Sequence, residues 1–272
     1  MSGTTEVLNT SIMLDALKRR DVNDLQVEVF DSLPSTSAYL SATLGNRKTS
    51  KLTKPATSRL CVTDWQTNGQ GRRGRTWVTE RGNVTFSLLV SINKPPAMLM
   101  GLSLVTGVCV AESLGALAGL SVDLKWPNDV LVADKKLCGL LTELIPSTPN
   151  KTQIIVGIGI NYKQPTRIES SDYQAVNLPD LVAVPPKRAD LISDVVARLL
   201  GEYAVFEASG WTTFADRWDA FDCLKGRKVS VLTKDTEEQA VAVGVDEQGA
   251  LLISAAGVTR AVFSGEVSLR LA

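Results

Sequence analysis

The sequence predicts an α+β protein: a mixed, mainly antiparallel sheet with helices, followed by a small C-terminal β-barrel. Three observations predict it. Asn83–Ile92 alternates apolar and small residues at the strand period. Two long apolar-striped segments, 98–119 and 187–208, stand between strand-like runs. After Cys223 the pattern changes to five short β runs joined by tight turns. The expected domains are therefore residues 1–222 and 223–272.

The elements follow in order. Residues 11–20 form a short amphipathic segment with Ile12, Leu14 and Leu17 as its apolar positions, and Val27–Phe30 is the first strand-like run. Asn46–Arg59, with Arg47, Lys48, Lys51, Lys54 and Arg59, reads as a solvated surface loop. Leu60–Thr63 is a short strand leading into Gly69–Trp77. Along Asn83–Ile92, Val84, Phe86, Leu88, Val90 and Ile92 share one face and mostly small residues the other, the pattern of a half-buried strand. The longest apolar stretch, Met98–Leu120, is broken by Ser103, Thr106, Glu112 and Ser113, so it reads as a core helix and not as a membrane span. Strand-like runs return at Val122–Lys125, Val130–Ala133, Leu137–Ile145 and Gln153–Asn161. The helix at 187–208 places Leu191, Val195, Leu199 and Tyr203 on one side, and a shorter one at 212–221 carries Phe214, Trp218 and Phe221. The terminal runs are Lys228–Thr233, Gln239–Val245, Ala250–Ser254, Thr259–Phe263 and Val267–Leu271.

Composition narrows the chemistry. The 29 basic and 29 acidic side chains cancel, so no global field favours nucleic acid or a membrane. The N-terminus has no basic leader followed by an apolar run, and the four cysteines form no C-x-x-C pair; both fit a reducing cytoplasm. Too little chain precedes Val27 for a winged-helix DNA-binding domain, so no DNA partner is expected. There is no histidine, which excludes Ser-His-Asp and Cys-His catalysis and H-E-x-x-H zinc sites. Any chemistry rests on Lys, Arg, Asp, Glu, backbone amides or a metal held by oxygen.

The stretch GQGRRGRTW has the dinucleotide spacing at Gly69, Gly71 and Gly74. No helix is expected after Gly74, and a Rossmann loop needs one to hold the pyrophosphate. No Gly-Lys-Ser/Thr follows for a phosphate loop either. What remains is a flexible backbone carrying Arg72, Arg73 and Arg75, fitting either a solvated basic turn or a lid that orders over an anion. Further on, Lys125-Trp126-Pro127-Asn128-Asp129 precedes Lys135-Lys136-Leu137-Cys138-Gly139. Asn128 and Asp129 fall at a bend between strands. A carboxylate there can hold Mg²⁺, orient a lysine, or simply form the turn.

KWPND, followed by KLCG and preceded by QTNGQGRRGRTW, resembles the biotin protein ligases, over a region from Ser35-Thr36 to Phe263–Arg270. The resemblance implies a class II synthetase-like catalytic domain and a C-terminal SH3-like barrel. It implies biotin contacts from Ser35, Thr36, Gln66, Gly69, Gln70, Arg72, Lys136, Gly139 and Gly157. Contacts to ATP or the adenylate are implied for Arg72, Arg73, Arg75, Trp77, Asn128, Lys136, Asn161 and Arg270, with Glu266 nearby. The implied reaction makes biotinyl-5′-AMP from biotin and ATP, then transfers biotin to a lysine on the biotin carboxyl carrier domain of a biotin-dependent carboxylase. Its first step needs no base, because a carboxylate is already ionised at neutral pH. Lys136, Arg72, Lys125 and Mg²⁺ would offset the repulsion between two anions. Asp129 is the candidate metal ligand and a candidate base. Three positions depart from the family pattern: Gln70 where Arg is usual, Ser37 where Asn is common, and Ser230 where a lysine is often found. A lipoate-type ligase is the nearest alternative, and a non-catalytic biotin-binding regulatory protein the other.

Overall fold

The protein is represented by a computed structural model that describes residues 6–44, 58–163, 174–233, 236–263 and 268–271. Most of the expected basic loop at 46–59 lies outside the described residues, as does Glu266.

Helix α1 (Thr10–Lys18) starts at Asn9, whose side chain accepts the Ile12 N–H at 2.9 Å, and it buries Met13, Ala16 and Leu17. Strand β1 (Gln26–Phe30) runs parallel to β2 (Arg59–Thr63), with α2 (Thr36–Leu44) between them in sequence. A hairpin of β3 (Gly69–Gln70) and β4 (Thr76–Trp77) follows, then β5 (Val84–Ile92), α3 (Leu102–Ala118), β6 (Asp123–Lys125), β7 (Asp129–Val132), β8 (Lys135–Thr148) and β9 (Lys151–Ile160). The chain continues through α4 (Arg188–Ser209) and α5 (Ala215–Asp219) into β10 (Lys228–Leu232), β11 (Glu237–Val245), β12 (Leu251–Ala255), β13 (Val258–Val262) and β14 (Ser268–Leu271).

Seven strands form one sheet in the order β1-β2-β5-β9-β8-β7-β6, antiparallel except for β1–β2. One face carries Leu60, Val62, Phe86, Leu88, Val156 and Ile158 into a core shared with α1, α3 and α4. Each fully buried side chain of this type contributes about 1.5–3 kcal/mol. The other face holds Cys61, Leu89 and Ile155 against Leu40 of α2. This corrects the expectation of a half-buried β5: Val84 to Val90 are buried throughout, because α2 covers the face that small residues seemed to leave to solvent.

The five C-terminal strands pair antiparallel in the order β13-β12-β11-β10-β14, with a bulge at Ala242/Gly244 that bends β11. Their core residues Val229, Val231 and Leu251 join the same buried cluster as Leu102 and Trp126. Two indoles clamp the junction: Trp126 Nε1 donates to the Gly249 carbonyl and Trp211 Nε1 to the Asp246 carbonyl, both at 3.0 Å. Gly101 and Gly249 touch backbone to backbone; a Cβ added at Gly249 would lie 2.8 Å from the Gly101 Cα. Among the described residues no helix is long and apolar enough to cross a membrane.

Candidate functional site

Strand register lays out the site on the second sheet face. Thr85, Gly159 and Gly139 are neighbours across β5, β9 and β8; Ser87, Gly157 and Leu141 form the next row; Leu89, Ile155 and Glu143 the third. The third row contributes Leu89 and Ile155 to the packing beneath α2. All of the first two rows except Ser87 line a cavity of about 160 Å³. Glycine keeps it open. A Cβ at Gly159 would lie 2.5 Å from the Trp77 indole, one at Gly139 2.9 Å from the same ring, and one at Gly157 2.9 Å from Ser37 Oγ.

One end of this trough is neutral and hydrogen-bonding. Gln66 Oε1 accepts the Thr36 N–H at 2.8 Å and the Thr36 hydroxyl at 3.0 Å. Thr36 Oγ1 lies 2.7 Å from Ser87 Oγ, which lies 2.9 Å from Ser37 Oγ, and all these residues are buried. Gln66 is held in turn by Thr79, whose hydroxyl accepts its N–H at 3.1 Å and donates to its carbonyl at 2.9 Å. Ser35 Oγ accepts the Ala38 N–H at 3.3 Å in the first turn of α2.

The other end is cationic. Lys136 opens β8, its Nζ 2.6 Å from Asp129 Oδ1 and 5.5 Å from the centre of the Trp77 ring. Arg72 Nη1 donates to Asn128 Oδ1 at 3.1 Å, and Asn128 Nδ2 donates to the Leu140 carbonyl at 2.7 Å. Burial lowers the Arg72 pKa below its ordinary value, the Arg73 and Arg75 charges add to that, and Asp129 opposes it. The Gly69–Trp77 stretch folds as the β3–β4 hairpin around a 3-10 turn at Arg72–Gly74. Arg73 (φ 57°) and Gly74 (φ 71°) both take the left-handed conformation that the turn requires.

The structure brings together Ser35, Thr36, Gln66, Gln70, Arg72, Arg73, Arg75, Trp77, Asn128, Asp129, Lys136, Gly139 and Gly157 as cavity walls. Gly69 stands just behind them, where a Cβ would collide with the Trp77 carbonyl. Other residues fall elsewhere. Lys125 is buried on β6, one strand beyond the cavity floor, where its charge acts on the Cys223 thiol. Asn161 follows β9 and turns its amide to the Lys136 carbonyl at 2.9 Å, so it braces the lysine and does not line the cavity. Arg270 is placed on β14 opposite Ser230; its side chain lies outside what is described. Ser230 is buried and accepts from Gln239 Nε2 at 2.6 Å. Sequence reasoning passed over Thr85 and Ser87, whose alternation along β5 was the available signal; Ser37, noted only as a departure from the family pattern, lines the cavity. Among the described residues Thr85 Oγ1 and Trp77 Nε1 find no hydrogen-bond partner although buried, and both residues line the cavity.

The sequence profile described as the Biotin/lipoate A/B protein ligase family matches residues 29–161, and that of the Biotin protein ligase C terminal domain matches 225–270. The bifunctional ligase/repressor BirA of Escherichia coli is 33% identical over 245 residues, covering 90% of this chain and 74% of that protein. The chain belongs to the biotin/lipoate A/B protein ligase family. Within the family, the biotin--[acetyl-CoA-carboxylase] ligase of Mycobacterium tuberculosis is 31% identical over 214 residues, 76% of this chain and 77% of that one. The solved biotin protein ligase from Aquifex aeolicus, in complex with biotin and ATP, superimposes with a TM-score of 0.73 at 26% identity, covering 91% of this chain and 99% of the other.

Proposed function

We propose that the protein is a biotin protein ligase that activates biotin with ATP to biotinyl-5′-AMP and transfers it to a lysine of a biotin carrier domain. One observation carries the reading: a glycine-floored trough has a neutral hydroxyl–amide end at Thr36 and Gln66, braced by Ser87, and a cationic end at Lys136 and Arg72. That polarity suits a ligand with a urea ring at one end and a carboxylate, then a phosphate, at the other.

In the first step a biotin carboxylate oxygen bonds to the α-phosphorus of ATP, the bond to the bridging oxygen breaks, and pyrophosphate leaves. Lys136 and Arg72 stabilise the approach of the two anions, and the arriving carboxylate replaces Asp129 and Asn128 as their partner. In the second step the acceptor amine attacks the acyl carbon, the amide C–N bond forms, the acyl C–O bond of the mixed anhydride breaks, and AMP leaves with that oxygen and its electron pair. Asp129, released from Lys136, is the carboxylate placed to take the amine proton. The β3–β4 hairpin with Trp77 covers the trough and limits hydrolysis of the adenylate.

Mg²⁺ enters this reading with the nucleotide. Mg²⁺ takes one or two carboxylates alongside phosphate oxygens, and Asp129, whose pair with Lys136 opens in this reading, is the residue that would hold it. We place the reaction in the cytoplasm, with a carboxylase carrier domain as acceptor, without a nucleic-acid partner, and with residues 1–222 and 223–272 as catalytic and barrel domains. Biotin-dependent ATP–pyrophosphate exchange tests the first step, and mass gain on a purified carrier domain tests the second. Exchange that follows lipoate, or no exchange with either acid, would overturn the proposal.

A further inference from the structure

Thr85 is 3% exposed, and both strand neighbours of β5 satisfy its surroundings without using its hydroxyl. Its partner on β2, Thr63, spends its own hydroxyl on the Trp65 carbonyl at 3.1 Å, and its partner on β9, Gly159, has no side chain. Among the described residues Thr85 Oγ1 therefore has no hydrogen-bond partner, yet the residue lines the trough. A buried hydroxyl left unpaired is costly, and native structures keep few of them. Ser87, two residues along the same strand face, shows the contrast: it is hydrogen-bonded to both Thr36 and Ser37.

Resting on the biotin reading above, we propose that Thr85 is a further specificity-determining residue whose hydroxyl hydrogen-bonds the ureido group of the bound ligand. The strand order supports that end of the ligand. Thr85 sits on β5 beside the Thr36–Gln66–Ser87 cluster, across β9 and β8 from Lys136 and Asp129. A ureido group offers one oxygen acceptor and two N–H donors, and a hydroxyl can meet either kind.

The test compares the full chain with Thr85→Val, which keeps the branched shape and removes the hydroxyl, and Thr85→Ser, which keeps the hydroxyl. Biotin is titrated calorimetrically into each ligand-free protein, and the thermal midpoints are measured. Thr85→Val is expected to bind biotin about three- to tenfold more weakly. Its ligand-free midpoint should match or exceed wild type, by about 2 °C, because an unpaired polar atom has been removed. Thr85→Ser should bind within about twofold of wild type. Wild-type affinity in Thr85→Val, or equal weakening in both variants, would overturn the assignment. Absence of biotin binding by the wild-type protein would instead overturn the biotin reading on which it rests.

Discussion

Replacing Gly159 by alanine tests whether the trough and its covering indole act as one object. The added Cβ would lie 2.5 Å from Trp77 Cε2 and 2.6 Å from Nε1, whereas carbon contacts settle near about 3.5 Å, so the ring must move by about 1 Å. It cannot slide towards Gly139, where the same ring already leaves only 2.9 Å for a Cβ. The hairpin must lift, and Arg72 and the Lys136 contact lift with it. A misplacement of about 1 Å in a positioning element costs up to about 10²-fold in rate, while overpacking costs about 1–3 kcal/mol in stability. Gly159→Ala is therefore expected to lose about 10²-fold in biotin-dependent pyrophosphate exchange while still melting cooperatively. Gly201→Ala serves as the control, since a Cβ there meets nothing within 4 Å and alanine favours its helix by about 1 kcal/mol. Exchange at wild-type rate in Gly159→Ala would refute the argument that Trp77 seals the floor.

Lys136→Ala should abolish adenylate formation, at least about 10²-fold, yet shift stability by no more than about 1 kcal/mol, because the pair with Asp129 is partly exposed; single-turnover exchange and melting read the two. Arg72→Gly removes the clasp on Asn128 and should release biotinyl-AMP, seen as biotin on lysines of a bystander protein; retention as tight as wild type would refute a lid. Burial raises the Glu143 pKa above its ordinary value, partly offset by a hydrogen bond from Ser37, so the fold favours the protonated form. The stability this group contributes is present in acid and lost as pH rises through its folded pKa. Glu143→Gln should consequently melt higher than wild type at pH ~7, with the difference closing below the ordinary carboxyl pKa of ~4.3.

The strands and long helices were legible because apolar periodicity reports burial directly. β8 and β9 were read to within a few residues, and α3 and α4 likewise. Helix α2 was not legible. Its sequence TSAYLSATL buries Thr36 and Ser37 beside Leu40, so half of its inward face is polar and no apolar stripe marks it. That polar face is the neutral end of the site. The same cause hid Thr85 and Ser87, which read as small residues facing water. Lys125 was misplaced by adjacency: it is four residues from Asp129 in sequence, but β6 stands outside the floor that β7 and β8 complete. Arg72 and Lys136 were legible from motif resemblance, and Asp129 was already a carboxylate able to orient a lysine; that the lysine is Lys136, and that Asn128 holds Arg72, took the turn in three dimensions.

The contact between Gly101 and Gly249 sets how force passes through the molecule. The two backbones meet directly, with Trp211 packed against Gly101 and Leu104 against Gly249. Gly101 precedes the first residue of α3 as its N-cap, and two residues later Ser103 donates to the Pro127 carbonyl at 3.0 Å. The C-terminal strands thus act as an anvil behind the turn that presents Asn128 and Asp129. A substitution on that distant sheet could detune the reaction by loosening the support, with every residue that touches the ligand unchanged.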